Sequence, residues 1–357
     1  MKAIKLLNSV LFTRTPIYVI FFVTSNCNAK CKMCFNWKQI ENYKKEEELT
    51  LDEIKKIFRS FSTIQQLTIS GGEPFLRGDL PEIIDFISHN NDVQQITIPS
   101  NGINTQTIYE KTSEILRRIK KGTQLRIGLS IQGIQSVHDE IVQVNGAFNK
   151  ILETHKKLKV LASQYKNLHV GVSTCLNKYN KSDFNNILDY VEQHFKDCDM
   201  SITLVRGSPR DQTAMSVSTT EFCNVVSHFE KLKMRTRSTS IFARLYYALV
   251  KIVYRQIPQV KKNKMMPTRC YAQSKMIVLQ SNGDVYPCEY LHKCLGNIKN
   301  FHYSIQDILE KNREIKDFIK NKNCYCTWEC ALSNNIVNTP RLYPAVIKEM
   351  IADFLAG

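Results

Sequence analysis

Short apolar stretches alternate with amphipathic stretches along the first two thirds of the chain. Six stretches rich in β-branched and aromatic residues predict buried strands, and five segments with apolar residues at helical spacing predict helices. Thr50, followed by Asp52 and Glu53, predicts a cap at the start of the first of these helices. The predicted strands cover 16–26, 65–70, 93–100, 124–133, 168–176 and 199–207, and the predicted helices cover 50–62, 79–90, 104–121, 146–165 and 182–196.

This alternation predicts an α/β fold, with a parallel sheet whose strands are joined by helical crossovers. Six strand-helix units are too few for a closed eight-stranded barrel, so we expect a partial (β/α)6 TIM-like barrel. In folds of this kind the loops at the carboxyl ends of the strands carry the chemistry. The informative residues of this sequence fall in those loops.

The pattern changes after about residue 230, and it predicts three further segments. We expect the barrel to occupy 15–230, a basic amphipathic helical connector 231–265, a small cysteine-rich domain 266–335 and a C-terminal helix 336–357. The helix near 241–255 carries an apolar stripe that includes Phe242, Leu245, Leu249 and Val253. Helical spacing of this kind indicates a core face, and a helix lying in a membrane interface is the alternative.

Composition and charge are those of an ordinary folded protein with a basic excess. The 357 residues include 49 Lys and Arg against 33 Asp and Glu, a formal charge of +16, which admits nucleic acid, an anionic membrane surface or a phosphorylated substrate as partners. The N-terminal "MKAIKLLNSVLF" has an apolar run broken by Asn8 and Ser9, so it does not predict a secretory signal. With twelve cysteines and no apolar stretch that could span a bilayer, we expect a reducing cytoplasm.

Three cysteines follow the first predicted strand in "SNCNAKCKMCFNW". Cys27, Cys31 and Cys34 have the spacing C-x-x-x-C-x-x-C and no fourth cysteine nearby. Structural zinc takes four protein ligands, and catalytic zinc takes three together with water, so a zinc site is one interpretation of the three cysteines. In a cluster of four irons, three thiolates leave one iron open to bind another group, and this is the second reading.

The cysteine triplet in "CNAKCKMC", together with "SGGEP" at the end of the second predicted strand, resembles the radical S-adenosylmethionine (SAM) superfamily over roughly residues 15 to 210. The resemblance implies a partial barrel in which Cys27, Cys31 and Cys34 hold a catalytic 4Fe-4S cluster. It implies that the open iron chelates SAM, and that reduction yields a 5′-deoxyadenosyl radical, which takes a hydrogen atom from the substrate. An external one-electron reductant such as flavodoxin or ferredoxin is implied as a partner.

The same resemblance implies which residues bind the cofactor. Gly71 and Gly72 lack a Cβ and would let the backbone approach SAM, Glu73 would receive its ammonium group, and Pro74 would stiffen the turn. The position before the third cysteine, usually aromatic in the family, is Met33, whose thioether suits contact with the adenine. Polar side chains at three strand ends would meet the ribose and carboxylate, with ordinary turn chemistry as the alternative: Asn101, Ser130 and Gln132.

A second cysteine set resembles the auxiliary-cluster extensions called SPASM or, when shortened, twitch domains. Its cysteines are Cys270, Cys288 in "GDVYPC", and Cys324, Cys326 and Cys330 in "CYCTWEC". The resemblance implies one auxiliary 4Fe-4S cluster held by Cys270, Cys288 and two of the other three. Alternate residues of a regular strand stand about 6–7 Å apart, so the sequence leaves open which two bind. A zinc ribbon is the alternative.

The substrate is not set by these motifs. Relatives with such extensions include peptide maturases and small-molecule dehydrogenases, and the basic helix adds a lipid or lipid-linked glycan at the inner membrane surface as a further alternative. Arg206 and Arg210 in "RGSPRD" follow the sixth predicted strand and would clamp a substrate anion, or pair with Asp211. A zinc-stabilised module without activity and a nucleic-acid binder remain as other classes. The absence of an RNA-binding motif in the sequence disfavours nucleic acid.

Overall fold

A nine-stranded sheet forms the centre of the molecule, with strand order β6-β5-β4-β3-β2-β1-β7-β8-β9. The computed structural model describes residue 13 and residues 15–196, 198–235, 241–321 and 324–355, so the segment "MKAIKLLNSVLF" lies outside the described residues. The strands are β1 Tyr18–Thr24, β2 Gln66–Gly71, β3 Gln95–Ser100, β4 Gln124–Ser130, β5 Leu168–Leu176, β6 Asp199–Leu204, β7 Met276–Leu279, β8 Asp284–Tyr286 and β9 Gly296–Asn297.

Strands β1 to β6 are parallel and pair in chain order, which confirms the predicted partial barrel. The C-terminal region does not form a separate sheet. Strand β7 pairs with the free side of β1 in parallel, and β8 and β9 continue the sheet in antiparallel orientation. The region that holds the second cysteine set is therefore attached to the barrel through a continuous hydrogen-bonded ladder.

The helices between the strands follow the predicted order. Between β1 and β2, the short helix Trp37–Glu41 was not predicted. The helices are α1 Trp37–Glu41, α2 Leu51–Arg59, α3 Leu80–Asn90, α4 Thr105–Arg118, α5 Ser136–Val142, α6 Ala147–Gln164, α7 Phe184–His194, α8 Thr219–Arg235, α9 Ile241–Asn263, α10 Ile305–Lys311, α11 Arg313–Lys320, α12 Glu329–Val337 and α13 Tyr343–Leu355.

Local sequence explains where these elements begin and how they are buried. Helix α2 begins with a capping box, in which the Thr50 hydroxyl accepts from the Glu53 backbone N–H and the Glu53 carboxylate accepts from the Thr50 backbone N–H. Strand β1 is buried at every position because it lies between β2 and β7 in the middle of the sheet. The strand that delivers the first cysteine is therefore the most protected strand of the barrel.

Helix α9 carries the apolar stripe for which the sequence allowed two interpretations, a face packed in the core or a face lying in a membrane interface. Val253, Ile257 and Val260 are buried, whereas Leu245 is 39% exposed, and the side chain of Phe242 lies outside the described residues. On the basic side, Arg255 pairs with glutamates of α8 and α13. These contacts favour the core-face interpretation. Among the described residues, no helix is both long enough and apolar enough to cross a membrane.

The hydroxyl of Tyr254 on α9 bonds to the backbone of the edge strand β6 of the barrel. It donates to the carbonyl of Ile202 at 2.9 Å and accepts from the Ile202 backbone N–H at 2.7 Å. Ile202 lies on β6, the edge strand of the sheet, where backbone groups would otherwise lack partners. One buried hydroxyl thus satisfies two edge groups.

Replacing Tyr254 by Phe is expected to lower the free energy of unfolding by about 1–3 kcal/mol, because two buried backbone groups lose their partner. The matched control is Tyr343→Phe, which removes an exposed hydroxyl that donates to the Val337 carbonyl. Urea unfolding of the anaerobic protein measures both changes. Equal losses in the two variants would contradict this role of Tyr254.

Candidate active site with two cysteine groups

The first cysteine loop leaves β1 and is fixed on both sides by backbone hydrogen bonds. The N–H groups of Lys30 and Lys32 donate to the carbonyls of Val142 and Ile141 at the end of α5, at 3.1 and 2.9 Å. On the other side, the N–H of Arg210 donates to the Cys34 carbonyl at 3.0 Å, and the N–H of Asp211 donates to the Lys32 carbonyl at 2.9 Å. The loop is thus held between α5 and the segment after β6.

The three thiols of this loop form one electrostatic group. Burial raises the pKa of Cys27 to about 11 and raises the pKa values of Cys31 and Cys34. The charge of Cys34 adds to the rise at Cys27 and at Cys31, so each thiolate disfavours the next. Three thiolates at this place therefore need a cation among them.

Three thiols with no fourth cysteine near them in the sequence fit an iron-sulfur cluster with one open iron. Among the described residues, no three His, Cys, Asp or Glu side chains converge closely enough to hold a single metal ion. In a four-iron cluster each thiolate binds a different iron, so its ligands surround a larger object than one ion.

Gly71 and Gly72 let the end of β2 approach the cysteine loop. The Gly72 N–H donates to the Thr24 carbonyl and the Glu73 N–H donates to the Asn26 carbonyl, both at 2.8 Å. A Cβ on Gly71 would overlap the Thr24 carbonyl oxygen, and one on Gly72 would overlap that of Asn26. The structure thus assigns both glycines to this backbone approach, and their predicted contact with SAM remains a prediction.

Glu73 joins the ends of β2 and β3. Its carboxylate is 1% exposed and accepts from the Phe75 N–H, the Ser100 hydroxyl and the Asn101 N–H, at 3.2, 3.0 and 2.8 Å. Burial nevertheless raises its pKa to about 7. Pro74 occupies the first position of a short 3-10 helix, where its missing N–H costs nothing. Glu73 thus contacts other groups of the protein. That it binds the ammonium group of SAM remains a prediction.

The other predicted cofactor residues lie around the same rim. Asn101 donates to the Asn28 side chain at 2.7 Å, and so contacts the cysteine loop directly. Buried Gln132 accepts from the Cys175 N–H at 2.9 Å, Ser130 ends β4, and Met33 packs partly buried against the core. The structure brings these residues to one end of the barrel.

Two further residues contribute to this rim, and sequence reasoning missed the first of them, Asn28. Asn28, inside the cysteine loop, links Asn101 to Asn104 through its amide. His138 is buried, its Nδ1 lies 3.1 Å from the Gln132 backbone N–H as acceptor, and burial lowers its pKa to about 4, so the ring is neutral. Asn28 and His138 belong to no recognisable metal-binding motif, so the sequence around them does not predict these contacts.

The second cysteine set separates into four thiols and one. Cys270, Cys288, Cys324 and Cys326 line a single cavity. Burial raises the pKa of Cys288 to about 12 and that of Cys324 to about 11, and the charge of Cys270 adds to both. Residues 324 to 328 form neither helix nor strand, so Cys324 and Cys326 are free of the alternation that a regular strand would impose.

Cys330 is not part of that cavity lining. It lies near the start of α12 and interacts with Tyr18 of β1, Glu289 and Arg206. Burial raises its pKa to about 11, and the Glu289 charge adds to the rise. Cys324 and Cys326 thus share a cavity with Cys270 and Cys288, whereas Cys330 lies among polar side chains in the interior of the barrel.

Both arginines of "RGSPRD" are paired with glutamates. Arg206 contacts Glu329 at 3.1 Å and Glu289 at 3.4 Å, and Arg210 pairs with Glu41. The predicted alternative partner, Asp211, instead accepts from Tyr179 and Thr213. A substrate anion would have to compete with these carboxylates, so the predicted anion clamp stays a prediction.

Comparison with known proteins agrees with this geometry. The family model of the radical SAM superfamily matches residues 21–191, and that of an iron-sulfur cluster-binding domain, SPASM, matches residues 270–331. A radical SAM domain binds a 4Fe-4S cluster and SAM, and a SPASM domain binds auxiliary iron-sulfur clusters. The chain therefore contains a radical SAM domain followed by a C-terminal SPASM iron-sulfur domain.

Curated relatives share only part of the chain. The Fe-coproporphyrin III synthase of Methanosarcina barkeri is 28% identical over 49% of this chain and 41% of its own length. A probable GTP 3′,8-cyclase of Methanococcus maripaludis is 31% identical over 36% of this chain and 41% of its own length. The chain thus spans about two fifths of the length of these relatives.

Solved structures share the whole fold. The enzyme anSMEcpe with bound AdoMet and Cp18Cys peptide aligns with a TM-score of 0.58 at 16% identity, over 94% of this chain and 99% of that chain. Streptococcus suis SuiB bound to its precursor peptide SuiA aligns with a TM-score of 0.55 at 15% identity, over 89% of this chain and 68% of that chain. At this identity the likeness concerns the fold.

Replacing Gly72 by Ala is expected to abolish the first cluster, because the new Cβ would force the cysteine loop away from β2. After anaerobic reconstitution we expect about four irons fewer per chain than in the unmodified protein. The matched control is Gly78→Ala, since a Cβ there meets nothing within 4 Å. Iron and sulfide analysis reads both variants, and full iron content in the Gly72 variant would contradict the proposed fit.

The ligand set of the second cluster is tested by a pair of cysteine variants. Cys326→Ala is expected to lose about four irons per chain, because it removes one of the four thiols that share a cavity. Cys330→Ala is expected to keep them, since this thiol lies outside the cavity lining. Iron content together with Mössbauer spectra of the reconstituted proteins gives the measurement. The reverse result would assign Cys330 as the ligand.

Proposed function

We propose that this protein is a radical SAM enzyme that modifies a peptide by hydrogen abstraction, with an auxiliary 4Fe-4S cluster assisting oxidation or crosslinking. The observation that carries the proposal is the loop of three partly buried thiols, packed against a glycine whose Cβ would displace the loop. When bound, the cluster and SAM supply a 5′-deoxyadenosyl radical, which takes a hydrogen atom from the substrate. An external one-electron reductant such as flavodoxin or ferredoxin belongs to the proposal.

Each group of residues has a distinct task. Cys27, Cys31 and Cys34 hold the catalytic cluster, while Cys270, Cys288, Cys324 and Cys326 hold the auxiliary one. The rim residues that line up beside the cysteine loop would bind and orient SAM, as proposed from the sequence: Met33, Gly71, Gly72, Glu73, Pro74, Asn101, Ser130 and Gln132. Glu73, Pro74 and Gln132 of this rim are buried and would exclude water from the reacting atoms, which protects a radical from side reactions.

A peptide is the substrate class that the likeness in fold favours. The solved chains that match across both the barrel and the C-terminal region include two whose structures contain a bound peptide. The curated relatives with small-molecule names match only about half of the chain or less. Their substrates therefore bear less on a chain that carries an auxiliary domain, and a small molecule is the second candidate.

The remaining alternatives find less support in the contacts. A lipid substrate depended on the basic side of α9, where Arg255 pairs with Glu230 and Glu349. A zinc module depended on the cysteine groups, which the family models place in iron-sulfur domains. The proposed location remains a reducing cytoplasm, where clustered cysteines bind metal or do redox chemistry more often than they form disulfides.

The activity is tested by anaerobic reconstitution with iron and sulfide, followed by reduction with dithionite in the presence of SAM. We expect 5′-deoxyadenosine from the unmodified protein and none from Cys31→Ala, because Cys31 is one of three thiols that hold the catalytic cluster. The control is Cys223→Ala, an exposed thiol on α8, which should form the product as the unmodified protein does. Absence of product from protein with filled clusters would refute the proposal.

A further inference from the structure

The segment "RGSPRD", residues 206–211, contacts the first cysteine loop and residues that adjoin the second cysteine set. Its first arginine reaches the C-terminal region: the Arg206 guanidinium bridges Glu289 and Glu329. It also lies 5.4 Å from the ring centroid of Trp328. Glu289 directly follows Cys288, and Trp328 is two residues after Cys326. Arg206 is therefore tied to residues adjoining two auxiliary-cluster ligands.

The second arginine reaches the catalytic loop. The Arg210 N–H donates to the Cys34 carbonyl at 3.0 Å, and its guanidinium lies 5.6 Å from the Trp37 ring centroid and pairs with Glu41. The Trp37 indole donates to the Ser208 carbonyl at 3.0 Å, so the middle of the segment is fixed to the same loop.

Phe35 links the first cysteine loop to Arg206. Its ring follows Cys34 directly in the sequence and lies 5.3 Å from the Arg206 guanidinium, on which Trp328 also packs. One guanidinium is thus in contact with an aromatic side chain from each cysteine region. Arg206 and Arg210 are buried alike, with 18% of each side chain exposed, which makes them a matched pair for comparison.

We propose that residues 206–211 tune the two cluster sites separately: Arg206 is a positioning residue that tunes the auxiliary cluster, and Arg210 is one that tunes the catalytic cluster. This inference rests on the proposed function, because it takes both cysteine groups as cluster ligands. A fixed, largely buried positive charge stabilises the more negative, reduced form of a nearby cluster. Loss of that charge makes the cluster harder to reduce, so its reduction potential falls.

The test is an EPR-monitored redox titration of the complete protein with both clusters reconstituted. The catalytic signal is recognised by its change on addition of SAM. We expect Arg206→Gln to move the auxiliary potential to a more negative value and to leave the catalytic potential in place. Arg210→Gln should do the reverse. The charge-retaining variants Arg206→Lys and Arg210→Lys should return each potential toward that of the unmodified protein.

A further variant is expected to shift the reduction potential of the auxiliary cluster in the opposite direction. Glu289→Gln removes a buried negative charge beside Cys288, so the auxiliary potential is expected to rise. The inference is overturned if both arginine-to-glutamine variants leave the potentials unchanged, if both shift the same cluster, or if the lysine variants shift the potentials as far as the glutamine variants do. If clusters fill and 5′-deoxyadenosine forms while the potentials stay fixed, only this inference fails. If no cluster forms in the unmodified protein, the proposed function fails first.

Discussion

The arrangement depends on a backbone contact that leaves no room for a side chain. Gly72 donates to the Thr24 carbonyl while its Cα faces the Asn26 carbonyl at a distance that excludes a Cβ. This contact holds the cysteine loop against the end of β2, next to the carboxylate of Glu73 and the loop after β3. Because β1 is buried along its length, the loop begins from a rigid base. The position of three thiols thus follows from the core of the sheet.

The second cysteine group is placed by the same sheet. Strand β7 adds to β1 in parallel, and the chain then turns through β8 to deliver Cys288 beside Cys270. Both cysteine groups are therefore held by strands that include or pair with β1. The segment after β6, residues 206–211, contacts the first cysteine loop and residues next to the second group. A catalytic cluster with three thiolates and an auxiliary cluster with four would accordingly sit in one rigid frame. That is a reasonable basis for chemistry that needs a substrate held between fixed partners.

Much of this could be predicted from sequence because the signals are local. The six barrel strands follow from runs of β-branched residues, and the cysteine triplet and "SGGEP" follow from spacing alone. The continuation of the sheet through β7 could not be predicted, since it pairs residues more than 250 positions apart, such as Tyr18 and Met276. Likewise, the partners of Arg206 lie 83 and 123 residues away, so its position after β6 suggested an anion clamp rather than a buried bridge.

The measurement that tests the central claim most directly is the response of the reduced, reconstituted protein to SAM in EPR spectra. The account requires two clusters that differ in the number of thiolate ligands, with only one iron open to a cofactor. Added SAM should change the signal of one cluster and leave the other as it was. Two changed signals, or none in protein with filled clusters, would contradict the assignment of three thiols to one site and four to the other.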